Sequence, residues 1–144
     1  MQKQKLKIEY VNIKMTVEDV QPPPFNIKTT FKTVEEWLFN ICDSEKPQKP
    51  VTNYSIGIFE SRNDYTLSFV GLYVNQRKTE IAYEPLNMYF LLPKTEYKDL
   101  SREQLADKLV IQLKKFTATK KFMSSFLVQA DSIFLNGTTK IWSK

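Results

Sequence analysis

The sequence predicts an α+β domain, with a mainly antiparallel sheet of about six to seven strands carrying one N-terminal helix and one or two C-terminal helices. Three observations lead there. Two capping-box tetrads, Thr33-Val34-Glu35-Glu36 and Ser101-Arg102-Glu103-Gln104, each open an apolar stripe of helical period. Between them, residues 53–93 break into short apolar runs joined by polar links, the pattern of hairpin-connected strands. Near the C-terminus Asn136-Gly137 sits between two short apolar runs, the composition of a two-residue hairpin turn. A chain of 144 residues buries about 70% of its unfolded surface, so residues 1–144 are read as one domain with a core that needs no metal or disulfide.

Taken in order, Lys5-Leu6-Lys7-Ile8-Glu9-Tyr10 alternates with period two, and Val11, Ile13 and Met15 continue on the other parity. This predicts one long strand with a bulge or bend near Tyr10. Pro22-Pro23-Pro24 lacks backbone donors and makes a stiff extended connector. Val34, Trp37, Leu38 and Ile41 fall on one side of the first helix, which should end near Ser44 before Pro47 and Pro50. Four strands follow over 54–60, 65–74, 79–83 and 88–92, arranged as a meander, with Gly57 and Gly71 admitting bulky neighbours. Leu105, Leu109, Leu113 and Phe116 form the buried stripe of the second helix, and Lys114 and Lys115 complement the negative end of its dipole. A shorter helix starts at Thr119 with Phe122 and Phe126. The closing hairpin is expected to set Leu135 against Thr138 and Ile133 against Lys140, with Ile133, Leu135 and Trp142 on one side and Phe134 and Ile141 on the other.

Composition removes much chemistry. The chain has no histidine and one cysteine, Cys42, so triads built on imidazole, Cys-His pairs and histidine-containing metal sites are excluded. Cys42, on the first helix among apolar neighbours, reads as a small hydrophobe. Three separated glycines make no phosphate-binding loop. Glu80 and Glu84 on one strand would stand about 13 Å apart, beyond the roughly 9.5 Å limit of a glycosidase pair. A carboxylate hydrolase would instead need Glu60, Asp64, Glu80 or Glu84 to converge in a sheet cavity. No cofactor is implied and the domain is read as non-catalytic. No apolar run approaches the roughly 18 residues of a membrane span, and no secretory signal is visible at the N-terminus, so the expectation is a cytoplasmic protein without a membrane.

Charge is unevenly placed. Residues 108–144 carry seven lysines against Asp131 alone, a net +6, whereas 1–107 hold 14 basic and 15 acidic groups. Only Arg62, Arg77 and Arg102 among the 21 basic residues are arginine, which weighs against nucleic acid, since base and phosphate forks favour guanidinium. The candidate partner-binding residues are therefore Arg62, Asp64 and Tyr65 around the link between the first two strands of the meander, and Lys114, Lys115, Lys120 and Lys121 in the basic third. The alternative functions are binding of a nucleic acid or anionic surface through those late lysines, and the carboxylate hydrolase.

Segment order, together with Phe31-Lys32-Thr33-Val34-Glu35-Glu36-Trp37-Leu38, Met88-Tyr89-Phe90-Leu91-Leu92-Pro93-Lys94 and the closing Ile141-Trp142-Ser143, resembles small bacterial immunity proteins of polymorphic-toxin and contact-dependent inhibition systems. The resemblance implies a cytoplasmic protein that binds a cognate toxin domain and blocks its active site or a nearby surface. One departure stands out: inhibitors of basic nucleases tend to be acidic, so that charge steers the encounter, whereas this chain has a pI near 9.2. Either the toxin presents an acidic surface, or the part before residue 107 makes the contact.

Overall fold

The structure is a computed structural model that describes residues 20–24, 27, 31–61 and 64–144. The strand expected over 5–15 lies outside the described residues. Helix α1 (Val34–Cys42) starts where the Thr33 hydroxyl accepts from the Glu36 amide at 3.0 Å. The reciprocal arm is displaced by one residue, because the Glu36 carboxylate accepts from the Lys32 amide at 3.1 Å instead of from Thr33. Strands β1 (Asn53–Ser61), β2 (Asp64–Asn75), β3 (Lys78–Tyr83) and β4 (Tyr89–Leu91) follow. Then come α2 (Lys94–Tyr97), α3 (Arg102–Thr117), α4 (Lys120–Met123), a 3₁₀ turn (Phe126–Gln129), β5 (Ser132–Leu135) and β6 (Thr139–Ser143). The short helix α2 has no counterpart in the sequence expectation. At α3 the capping box closes fully, with Ser101 and Gln104 each accepting from the other's backbone amide.

The six described strands form one sheet in the order β3-β2-β1-β5-β6, and β4 also pairs with β2. The α+β class and the mainly antiparallel sheet hold, with one parallel pairing: β5 runs parallel to β1, with Tyr54 opposite Ile133 and Ile56 opposite Leu135. The central part is not a simple meander. The 12-residue β2 outruns β3, which pairs only over Gly71–Asn75, so β4 returns to the same edge and pairs with Thr66–Ser68.

Register decides which side chains meet. Tyr54, Ile56 and Ile58 lie opposite Gly71, Phe69 and Leu67, and this face joins the stripes of α1 and α3 in one core. Trp37 stacks on Phe90 at 5.5 Å, meets Phe69 edge-on at 6.3 Å and donates its indole N–H to the Asn87 carbonyl at 2.7 Å. On the opposite face Val20, Val70 and Leu72 form a second cluster with Phe59, Ile81 and Met88. With apolar side chains on both sides, residues 66–72 are continuously buried, which is why β2 reads as an unbroken apolar run. Gly71 makes room for aromatic packing: a Cβ there would lie 2.9 Å from the Tyr83 Cβ and 3.1 Å from the Tyr54 ring.

The closing hairpin differs from the expected register by one residue. Asn136 and Gly137 both take positive φ, 54° and 74°, as the Asn-Gly turn requires, yet Leu135 pairs with Thr139 and Phe134 with Lys140. Asn136 is drawn onto β1, donating its amide to the Ile56 carbonyl at 2.7 Å and accepting from the Ile58 amide at 3.0 Å through its side chain. Further along, Ile133 pairs with Trp142, leaving Ile141 as the extra residue of a bulge. The bulge lets Ile141 and Trp142 both reach the helical core, so Ile141 does not share a side with Phe134 as the simple alternation predicts.

Burial also sets an alkaline limit. It is the leading cause that holds the Tyr54, Tyr83, Tyr89 and Tyr97 hydroxyls and the Cys42 thiol above their ordinary values, partly opposed at Tyr97 by its hydrogen bond to Gln112 and at Cys42 by Ser125. In the unfolded chain these groups ionise near 9.0 for the thiol and 10.0 for the phenols, so above those values the unfolded state binds fewer protons than the fold and stability falls as pH rises. Urea unfolding should give constant stability between pH 7 and 8.5 and a decline through pH 9 to 11. Tyr54→Phe should flatten that decline, and a rise in stability over the same range would refute the burial argument.

Candidate functional site

The sequence-predicted residues fall at two places with different chemistry. The first is the β1–β2 hairpin end. Arg62 lies outside the described residues. Asp64 is the first residue of β2 and faces the Lys94 ammonium of α2 at 3.3 Å, and Glu60 pairs with Arg102 at the start of α3 at 3.6 Å. Arg102 also donates to the Ile58 carbonyl at 3.2 Å. Tyr65 is a half-buried strand residue: its ring packs against the core and its hydroxyl donates to the Leu100 carbonyl at 3.2 Å. Both ion pairs tie the hairpin to the starts of α2 and α3, although the Asp64 Oδ1 that faces Lys94 is buried without a hydrogen-bond partner among the described residues.

The second place is the corner between α3 and α4, where Lys114, Lys115, Lys120 and Lys121 lie within eight residues of chain. Hydroxyl groups hold this corner. Thr119 donates to the Phe116 carbonyl at 2.7 Å and accepts from the Phe122 amide at 3.2 Å, so one side chain ends α3 and starts α4. Ser125 repeats the device, donating to the Phe122 carbonyl at 2.6 Å and accepting from the Leu127 amide. Beneath the corner Phe122 is fully buried, edge-on to Phe116 at 5.2 Å and to Trp142 at 5.1 Å. Lys121 forms an ion pair with Asp43, the residue that caps the end of α1.

Lys114, Lys115 and Lys120 are exposed and have no ion-pair partner among the described residues. Two apolar side chains that sequence reasoning did not single out stand beside them: Ile111 is 64% exposed and Met123 61%. Ile111 precedes Lys114 and Lys115 by three and four residues, the spacing of helical neighbours, and Lys120 precedes Met123 by three. Ile111 was findable, because it falls off the 105/109/113/116 stripe and therefore must point outward. Leu86, 94% exposed in the β3–β4 connection, is the third large exposed apolar residue among those described.

Glu60 and Asp64 share the hairpin end, but Glu80 does not join them. Glu60 lies opposite Tyr65 and Glu80 opposite Tyr73, eight residues apart along β2, or about 27 Å of strand. Among the described residues, no group of three His, Cys, Asp or Glu side chains is placed to hold a metal ion. One cleft on the reverse face, lined by Asn53, Ser55, Leu72, Val74, Thr79 and Phe134 among others, holds no carboxylate and has a volume of about 10 Å³, room for a single water. No described helix is long and apolar enough to cross a membrane. Compared with protein-family models, curated proteins and solved structures, the chain matches none of them, so its function rests on its own residues and geometry.

Proposed function

We propose that this protein is a non-catalytic binding domain of the immunity type, which neutralises a cognate bacterial toxin by docking onto it in the cytoplasm of the cell that makes both. The observation that carries the docking reading is the α3–α4 corner, where two apolar side chains and three lysines are held outward by a capped and buried frame. An exposed isoleucine and methionine in a frame this constrained are side chains that a partner would cover. The toxin assignment is supported by the segment resemblance, and the separation of Glu80 on β3 from Glu60 and Asp64 at the β1–β2 hairpin end favours docking over a carboxylate hydrolase.

Co-expression tests it. A secreted toxin domain encoded beside this chain should arrest growth of a bacterial host alone, and growth should be restored when this chain is supplied, with a one-to-one complex recovered on gel filtration. Arrest that persists in the presence of well-expressed, folded protein would contradict the proposal.

A further inference from the structure

We infer that the α3–α4 corner is the docking face and that its partner is an acidic protein surface with apolar groups interspersed; this rests on the binding reading above and names its partner chemistry. Ile111, Lys114 and Lys115 share the outward side of α3, which Ala118 continues and Asp107 edges one turn before Ile111, and Lys120 and Met123 are exposed on α4 just beyond the turn. Because Asp43 already takes up Lys121, the cations left for a partner are Lys114, Lys115 and Lys120, and their complement is carboxylate. The frame beneath is fixed before binding by the Thr119 and Ser125 hydroxyls and by Phe122, so little order has to be gained on association.

The same observations choose among anionic partners. Single-stranded nucleic acid needs exposed aromatic platforms, but Phe116 and Phe122, the aromatics beside these lysines, are buried, and the patch contains no arginine. A membrane-surface helix lays a continuous apolar face into the headgroups, but the apolar face of α3 is turned into the core and only two separate apolar side chains face outward. An acidic protein surface suits both features. It also accounts for a basic pI in a toxin inhibitor: the toxin would present acidic groups, and this chain the lysines.

The test pans a phage-displayed library of random 16-residue peptides on the purified full chain, with the triple variant Lys114→Gln/Lys115→Gln/Lys120→Gln as counter-selection. Enriched peptides should be rich in Asp and Glu interspersed with apolar residues. They should bind the triple variant and Ile111→Ser/Met123→Ser at least about tenfold more weakly, at unchanged melting temperature. Amide shifts induced by the best peptide in the wild-type protein, confined to 111–123, give the same answer without any variant. Absence of acidic enrichment, equal binding to the variants, or shifts elsewhere would overturn the inference. So would tighter binding of phosphatidylglycerol vesicles or of a single-stranded 20-nucleotide DNA. Full toxin protection by the triple variant would remove this face and leave the inhibitor reading standing, whereas no protection by the wild type would remove that reading while the peptides still decide the surface.

Discussion

Trp37→Ala is expected to destabilise the fold by about 3–5 kcal/mol, a large share of the roughly 5–15 kcal/mol that holds a domain of this size. Trp37 has no solvent exposure, stacks on Phe90, meets Phe69 edge-on and satisfies the Asn87 carbonyl through its indole N–H. The substitution removes ring contacts with β2 and β4 at once and leaves a cavity between α1 and the sheet. Trp37→Phe keeps most of the apolar volume and loses the hydrogen bond, so the difference between the two variants separates packing from the indole N–H. Urea titration with an unchanged slope is the measurement. A loss under about 1.5 kcal/mol for the alanine variant would mean that α1 is not packed on the sheet through this ring.

Phe122→Ala is expected to cost a similar amount, about 3–5 kcal/mol, with a different local signature. Phe122 is the buried wedge between Phe116 on α3 and Trp142 on β6, and α4 is only four residues long. A helix of one turn has little stability of its own and depends on tertiary packing. Native-state hydrogen exchange should therefore show the amides of 119–125 opening well before the sheet, and peptide binding at the corner should weaken even where the protein remains folded. Uniform loss of protection across the molecule, with binding intact in the folded fraction, would contradict the view that Phe122 holds the corner in place.

Much of the fold is written in local signals. Thr33 and Ser101 announce helix starts because their hydroxyls take up amides of the first turn, and the stripes they open are buried as their spacing requires. Gly71 stands where the Tyr83 Cβ and the Tyr54 ring close in, as a residue without a side chain allows. What sequence did not reveal is non-local. The parallel pairing of β5 with β1 joins segments separated by about 80 residues, and no local pattern encodes which strand a hairpin will join. That neighbour then alters the hairpin itself, since Asn136 is recruited to the β1 ladder and the register moves by one. The two-part edge of β2 was hidden for a similar reason: strand lengths can be read, but that β3 stops short and leaves space for β4 cannot.

The candidate site was legible in its charges and not in its apolar part. The late lysines stand out by count, and the structure separates them by partner, Lys121 to Asp43 and the other three toward solvent. Tyr65 is read from sequence as the first residue of a strand beside a polar link, and β2 does begin one residue before it, but its hydroxyl is used internally rather than left for a partner. Met123 carried no signal, because a helix of four residues has no period long enough to show which way it points.

Hydrogen exchange on the complex with the adjacent-gene toxin domain puts the docking account at greatest risk. The account predicts that binding slows exchange across 111–123 while the hairpin end at Glu60 and Asp64 keeps its free-protein rates. Protection centred on that hairpin end, with 111–123 unchanged, would contradict it.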